Sequence, residues 1–226
     1  MKLNMRAASC AALVSALLLL IPLGLIPLGA AQAASALDTL FPGTKTLASQ
    51  KWDVKAGAVV QWKQTLDRFQ EQQARCEPAD GCGKFKALVQ QLSGLSTAEQ
   101  FKTVLHAEHS IVYMEDIKAS GKTDLWATPY ETLSTNTGDT EDYAILAYFA
   151  LRAAGMPKEA MRVIAVRLPS LGGVGHAVLA IDTTPEPLIL DNRSPLPMRA
   201  SLLGKEMKPV IGLNEDTWWY YVAAAQ

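Results

Sequence analysis

An α+β domain is what the sequence predicts, helical in its first half and built on an antiparallel sheet in its second. Three features carry that expectation. Apolar residues recur at helical spacing through Val59, Trp62, Leu66 and Phe69. A segment apolar on every side follows at 141–154. Beyond residue 160, alternating or β-branched segments take over, divided by Gly- and Pro-containing turns.

Lys2 and Arg6 precede an apolar run over 11–30 that contains Pro22 and Pro27. Two small-residue sites follow, Ala31-Gln32-Ala33 and Ala34-Ser35-Ala36. This is the pattern of a secretory signal peptide over 1–33, with cleavage as late as 36, leaving 37–226 as one domain. An uncleaved anchor is the competing reading, because the run approaches the roughly 20 apolar residues of a membrane span. The internal prolines and the Ala-x-Ala sites favour cleavage. Cys10 precedes the apolar run, so it is not a lipoprotein cysteine, which would follow it.

The segment 40–52 is mixed in character and reads as loop. Val54 to Arg75 reads as an amphipathic helix with Gln, Lys and Glu on its outer face, and Lys84 to Leu92 as a short second helix. Ser96 and Glu99 form a capping box, opening a helix that carries Phe101, Val104, Leu105, Ile111 and Val112. Glu141 to Ala154 has almost no polar face, so it is a buried helix, stopped by Gly155 and Pro157. Strands are expected at 161–168, 176–182, 187–191, 210–214 and 217–222. In the last, one of Trp218 and Trp219 faces the core and the other is partly exposed.

The 226 residues carry a net charge of -1 and no Lys/Arg cluster, which argues against nucleic acid as a partner. No second apolar run is long enough to span a bilayer once the signal is removed. Of the three cysteines, Cys10 leaves with the signal. Cys76 and Cys82 flank a turn with Pro78 and Gly81, and an exported chain sits where disulfides persist. A small structural bridge is expected, since a Cys-based metal site would need further Cys or His nearby.

Chemistry concentrates in Gly138-Asp139-Thr140-Glu141-Asp142, which opens the buried helix, in His176 and in Asp191-Asn192. A nucleophile, a base and an acid that orients the base need this kind of meeting in space. Plainer readings stand beside it. Asp139 and Asp142 suit a helix cap without any metal. Thr140 at the first helical position needs no function, and Asp191-Asn192 suits a turn. His106 and His109 are read as helix surface.

Taken together, several ordered motifs resemble the bacterial transglutaminase-like cysteine proteinases. They are Leu125-Trp126-Ala127-Thr128-Pro129-Tyr130-Glu131-Thr132-Leu133, the run Gly138 to Ile145, Leu151-Arg152-Ala153-Ala154-Gly155, His176-Ala177-Val178-Leu179, Leu190-Asp191-Asn192, Leu213-Asn214-Glu215 and Trp218-Trp219. The likeness runs from about Leu40 and is densest from Trp126 onward, and the pair Cys76 and Cys82 resembles an exported subgroup. It implies a papain-like fold, a periplasmic or secreted location, and a protein or peptide substrate or partner, such as a surface adhesin or a membrane regulator. The family includes periplasmic proteases that clip surface adhesins and so control biofilm detachment. It also implies that Thr140 stands at the nucleophile position of Gly-Asp-Cys-Glu-Asp, that His176 is the catalytic His, and that Asp191 orients it. Calcium is implied next to the nucleophile, at Asp139 and Glu141.

The chemistry of Thr140 departs from that of a cysteine. A thiol at a helix N-terminus beside a His has its pKa drawn from about 8.5 toward 3.5–7.5. A threonine hydroxyl is far less acidic, and a helix dipole of about half a charge does not close the gap. The leading expectation is a homologue without classical peptidase activity that binds a peptide or protein partner. The alternatives are an active peptidase or acyltransferase using Thr140, His176 and Asp191, and a purely structural role.

Overall fold

Strand β1 (Thr44–Ser49) opens the fold, followed by helices α1 (Gly57–Ala74), α2 (Gly81–Leu92) and α3 (Thr97–His109). Short strands β2 (Val112–Tyr113) and β3 (Thr137–Gly138) bracket α4 (Pro129–Thr135), and α5 (Thr140–Ala153) follows. Then come β4 (Met161–Leu168), β5 (Val174–Ile181), β6 (Leu188–Leu190), β7 (Met198–Arg199), α6 (Ala200–Leu203), β8 (Lys208–Leu213) and β9 (Trp218–Ala223). The computed structural model describes residues 35–51, 57–76, 81–116, 124–203 and 206–224. The segment read as a signal peptide, with Cys10, lies outside them.

Seven strands form one antiparallel sheet in the order β1-β9-β8-β4-β5-β6-β7. Alternation along each strand sends side chains to two cores. Val163, Leu179, Ile181 and Leu213 pack with the helices, around Ile145, Leu146 and Tyr148 of α5. Ile164, Val178, Ala180 and Ile189 pack on the opposite face with Leu37, Phe41, Leu203 and Met207. Helix α5 is buried from Asp142 to Leu151, as its all-apolar pattern predicts. This is the expected α+β architecture.

Local signals hold at the helix ends. Ser96 and Glu99 make the predicted capping box at α3, and Thr128 with Glu131 makes another at α4. Gly155 follows α5 at φ 103°, where a side chain would be strained. Cys76 and Cys82 are bonded, with their Cα atoms 5.7 Å apart. The adjacent Gly81 has no space for a side chain, since a Cβ would lie 1.8 Å from the Tyr130 carbonyl oxygen. The absence of a side chain there lets α2 lie directly against α4.

Several boundaries differ from expectation, and β5 starts at Val174, inside the segment 172–175 that reads as a turn, rather than at His176. The segment read as loop contains β1, which pairs with β9 from Thr44↔Ala223 to Ser49↔Trp218. Its sequence, Thr-Lys-Thr-Leu-Ala-Ser, carries little apolar alternation, and pairing with β9 makes it a strand. Helix α3 stops at His109, so Ile111 is buried beyond its end and Val112 is an exposed strand residue. Helix α2 starts at Gly81 rather than Lys84. Trp218 is buried and Trp219 half-buried, and His106 and His109 are exposed, as read from the sequence.

Candidate functional site

The N-terminus of α5 is anchored by a carboxylate of its own first turn. Asp142, buried, accepts from the Asp139 backbone N–H at 3.3 Å and from Ala127 N–H at 2.7 Å. It thus caps the helix and ties the segment before α4 to it. Gly138 makes this possible, because a Cβ there would come within 3.0 Å of Asp142 Cβ. Helix α1 supports the same segment from outside: Thr65 Oγ1 and Arg68 Nη2 both donate to the Trp126 carbonyl at 2.6 Å.

Thr140 is the first residue of α5. Its hydroxyl donates to Glu141 Oε2 at 3.0 Å, and among the described residues it makes no hydrogen bond to His176. His176 comes from β5, opposite Val166 of β4. Asp191 follows Leu190, the last residue of β6, which pairs with Leu179 of β5. That register brings the Asp191 carboxylate to His176, with Nε2 and Oδ1 2.9 Å apart in buried surroundings. Read as the donor at Nε2, the imidazole retains Nδ1 for a second partner.

Asp139, Thr140, Glu141 and His176 line one open cleft of about 390 Å³. Trp126, Tyr113 and Ala58 form part of its wall, and Ala165, Gly175, Ala177 and Val210 another. Val210 reaches it through an irregularity of the β4–β8 pairing, where Ala165 faces Ile211 but Val166 faces Pro209. The extra residue is a bulge, which re-aims its side chain. A larger cleft of about 560 Å³ lies between Arg68, Arg75, Tyr130 and the disulfide. It contains neither Thr140 nor His176, so the smaller cleft is the one with chemistry.

Carboxylates crowd this end of α5. Asp116, Asp124 and Glu141 each present an oxygen within 4.8 Å of the others. Burial, with the neighbouring charges of Glu141, Asp142 and Asp116, pushes Asp139 up to about 9. Burial pushes Asp142 up to about 8 and also raises Glu141. Asp139 Oδ1 is buried and has no hydrogen-bond partner. An all-oxygen set with an orphaned acceptor beside it suits a hard divalent cation such as calcium. Of the two metal residues expected from sequence, Glu141 belongs to the trio and Asp139 adjoins it.

Asp191 behaves in the opposite way. Burial would raise its pKa, but hydrogen bonds from His176 and Arg193 outweigh burial and hold the carboxyl below the usual range. Arg193 bonds it through its backbone N–H to Oδ1 at 2.9 Å, through Nε to both oxygens at 3.1 and 3.0 Å, and through Nη2 to Oδ2 at 2.7 Å.

Four residues of the site escaped the sequence reading: Asp116, Asp124, Glu108 and Arg193. Asp116 and Asp124 lie in a stretch without periodicity, and only the fold brings them to Glu141. Arg193 stands two residues after Asp191, a spacing that suits a turn and gave the one available hint. Glu108 lies on α3 between the exposed histidines, yet it is 2% exposed and its Oε2 has no partner. Burial, with the nearby Asp191 charge, raises its pKa well above the ordinary value. A carboxyl whose pKa rises on folding loses stability as pH climbs from the unfolded value toward the folded one. Glu108→Gln removes that loss. Its melting temperature should therefore fall less between pH 5 and pH 8 than the parent's, by about 2–4 °C for roughly 1 kcal/mol. Equal falls would show that Glu108 carries no such penalty.

Residues 76–199 match the family model described as bacterial transglutaminase-like cysteine proteinase. Solved structures of LapG from Legionella pneumophila are similar to this chain. The EGTA-treated form is 29% identical, covering 65% of this chain and 78% of that one, with a TM-score of 0.56. The calcium-bound form is 27% identical, covering 68% and 86%, also with a TM-score of 0.56. A further LapG structure is 30% identical over 62% and 76%, with a TM-score of 0.54. No curated protein matches the chain.

Proposed function

Because the chain belongs to the bacterial transglutaminase-like cysteine proteinase family, we propose that it is an exported member that has lost classical peptidase activity at Thr140 and retains a cleft for a peptide or protein partner. The observation that carries this reading is the direction of the Thr140 hydroxyl. It is engaged with Glu141 at 3.0 Å, so its proton is not shared with the imidazole that would have to remove it. A helix N-terminus activates a thiol because the thiolate is within reach of neutral pH; a hydroxyl needs a base in hydrogen-bond contact.

In this reading the cleft is the binding surface, with Trp126, Tyr113 and Val210 as its apolar walls. The partner is an extended segment of a protein, such as a surface adhesin or a membrane regulator. Calcium, when bound, would be held by Asp116, Asp124 and Glu141, with Asp139 beside them. It would supply positive charge next to residue 140 and relieve the carboxylate crowding. The calcium-bound relative and the orphaned Asp139 Oδ1 support this assignment.

The retained His176–Asp191 contact at 2.9 Å favours one second reading, a peptidase or acyltransferase that uses Thr140 with His176 as general base and Asp191 orienting it. Hydrolysis of a casein or adhesin-type substrate by the parent, abolished in Thr140→Ala, would establish that alternative. No hydrolysis by the parent is the result expected here.

Export and a periplasmic or secreted location are part of the proposal, with the signal removed after Ala33. Ser35 Oγ and the Ala36 backbone N–H both donate to Asp182 Oδ2, at 2.8 and 3.2 Å, and Leu37 is fully buried. Cleavage after Ala36 would discard those bonds and leave a charged amine on a buried residue, which supports the earlier site. N-terminal sequencing of the exported protein should begin at Ala34; a start at Leu37 would reverse this choice. Among the described residues no helix is long and apolar enough to cross a membrane.

A further inference from the structure

Asp191 makes far more of its hydrogen bonds to Arg193 than to His176. His176 reaches one oxygen, while Arg193 engages both, through a guanidinium fork and its own backbone N–H. The carboxylate side chain is fully buried and that of His176 is 4% exposed, so these charges interact with little screening. A planar guanidinium on a carboxylate fixes orientation as well as charge, which a lysine cannot reproduce.

We propose that Arg193 is a positioning residue for the His176–Asp191 pair, locking both Asp191 oxygens in place and taking up negative charge that would otherwise stabilise a proton on His176. The proposal rests on reading His176 and Asp191 as the working pair of the cleft.

Other charged groups surround the pair. Glu108 of α3 acts on Asp191, and Glu206, just beyond α6, acts on Arg193. Asp124, Asp139 just before α5, Glu141 of α5 and Arg167 of β4 share the cleft with His176. Among the described residues none of these hydrogen-bonds Asp191, so Arg193 is the group that can be changed alone. Its side chain is 36% exposed, and its removal opens no core.

The test is an NMR titration of the three histidine rings, with His176 assigned through His176→Gln, at fixed calcium. In Arg193→Gln the midpoint of the His176 ring should move up by about one unit, the lower end of what a neighbouring charge does. Arg193→Lys, which keeps the charge but not the fork, should move it less. His106 and His109, on the exposed face of α3, should keep their parent midpoints, which guards against a global change of fold. An unmoved His176 midpoint in Arg193→Gln overturns the proposal. A moved midpoint upholds it even if Thr140→Cys stays inert, an outcome that would count only against the peptidase-derived reading of the cleft.

Discussion

Thr140→Cys is expected to gain hydrolysis of a casein or adhesin-type substrate, with the parent at background. The gain should be on the order of a thousandfold or more, inside the roughly million-fold that loss of a nucleophile costs a serine peptidase. The rest of the site is in place for it. Residue 140 is the first of α5, where the helix dipole favours a thiolate. His176 lines the same cleft and is already oriented by Asp191 at 2.9 Å. A thiol also makes a weaker hydrogen bond to Glu141 than the threonine hydroxyl does, and brings no methyl group into the cleft. Addition of His176→Ala to that variant should abolish the gain. If Thr140→Cys is inert while correctly folded, the cleft has changed beyond its nucleophile and a purely structural role becomes the better account. If the parent itself cleaves and Thr140→Ala does not, the threonine is a nucleophile and the proposed loss of activity is wrong.

Calcium should produce the largest change in stability. Asp116, Asp124, Asp139 and Glu141 gather with Asp142 at the start of α5, and burial with mutual repulsion already raises the pKa values of Asp139 and Glu141. A divalent ion removes that repulsion and binds the folded chain, because only folding holds the oxygens of Asp116, Asp124 and Glu141 within 4.8 Å of one another. At a thousandfold excess over its dissociation constant, a ligand of the folded state adds about 4.1 kcal/mol. For a domain of this size that is a rise of roughly 8–16 °C in melting temperature. The comparison is calcium against EGTA, followed by heat unfolding. Glu141→Gln and Asp124→Asn should each remove most of the rise. Identical melting in calcium and EGTA would end the metal assignment, whatever the protein's activity.

The parts legible in the sequence share one property: their signal lies within a few adjacent residues. The capping box at Ser96 and Glu99, the all-apolar turns of α5 and the alternation of β4 are local patterns. The order Asp139, Thr140, Glu141, His176, Asp191 spans too much chain for that, and it suggested a site only through its resemblance to the family's ordered motifs. β1 was not legible, since its six residues acquire a strand's hydrogen bonds only from β9, more than 160 positions away. Asp116 and Asp124 were not legible as metal residues, because nothing within their own stretch marks them.

The sequence by itself determined the fold class, the burial of α5, the pairing of the two late cysteines and the identity of residue 140. What only the tertiary structure decided is how those residues are connected. It joined Glu141 to Asp116 and Asp124, hydrogen-bonded the Thr140 hydroxyl to Glu141, and divided Asp191 between an imidazole and Arg193. The reason is physical. Secondary structure follows from periodicity along the chain, whereas the charge state of a carboxylate follows from what surrounds it in space, and burial multiplies every such contact.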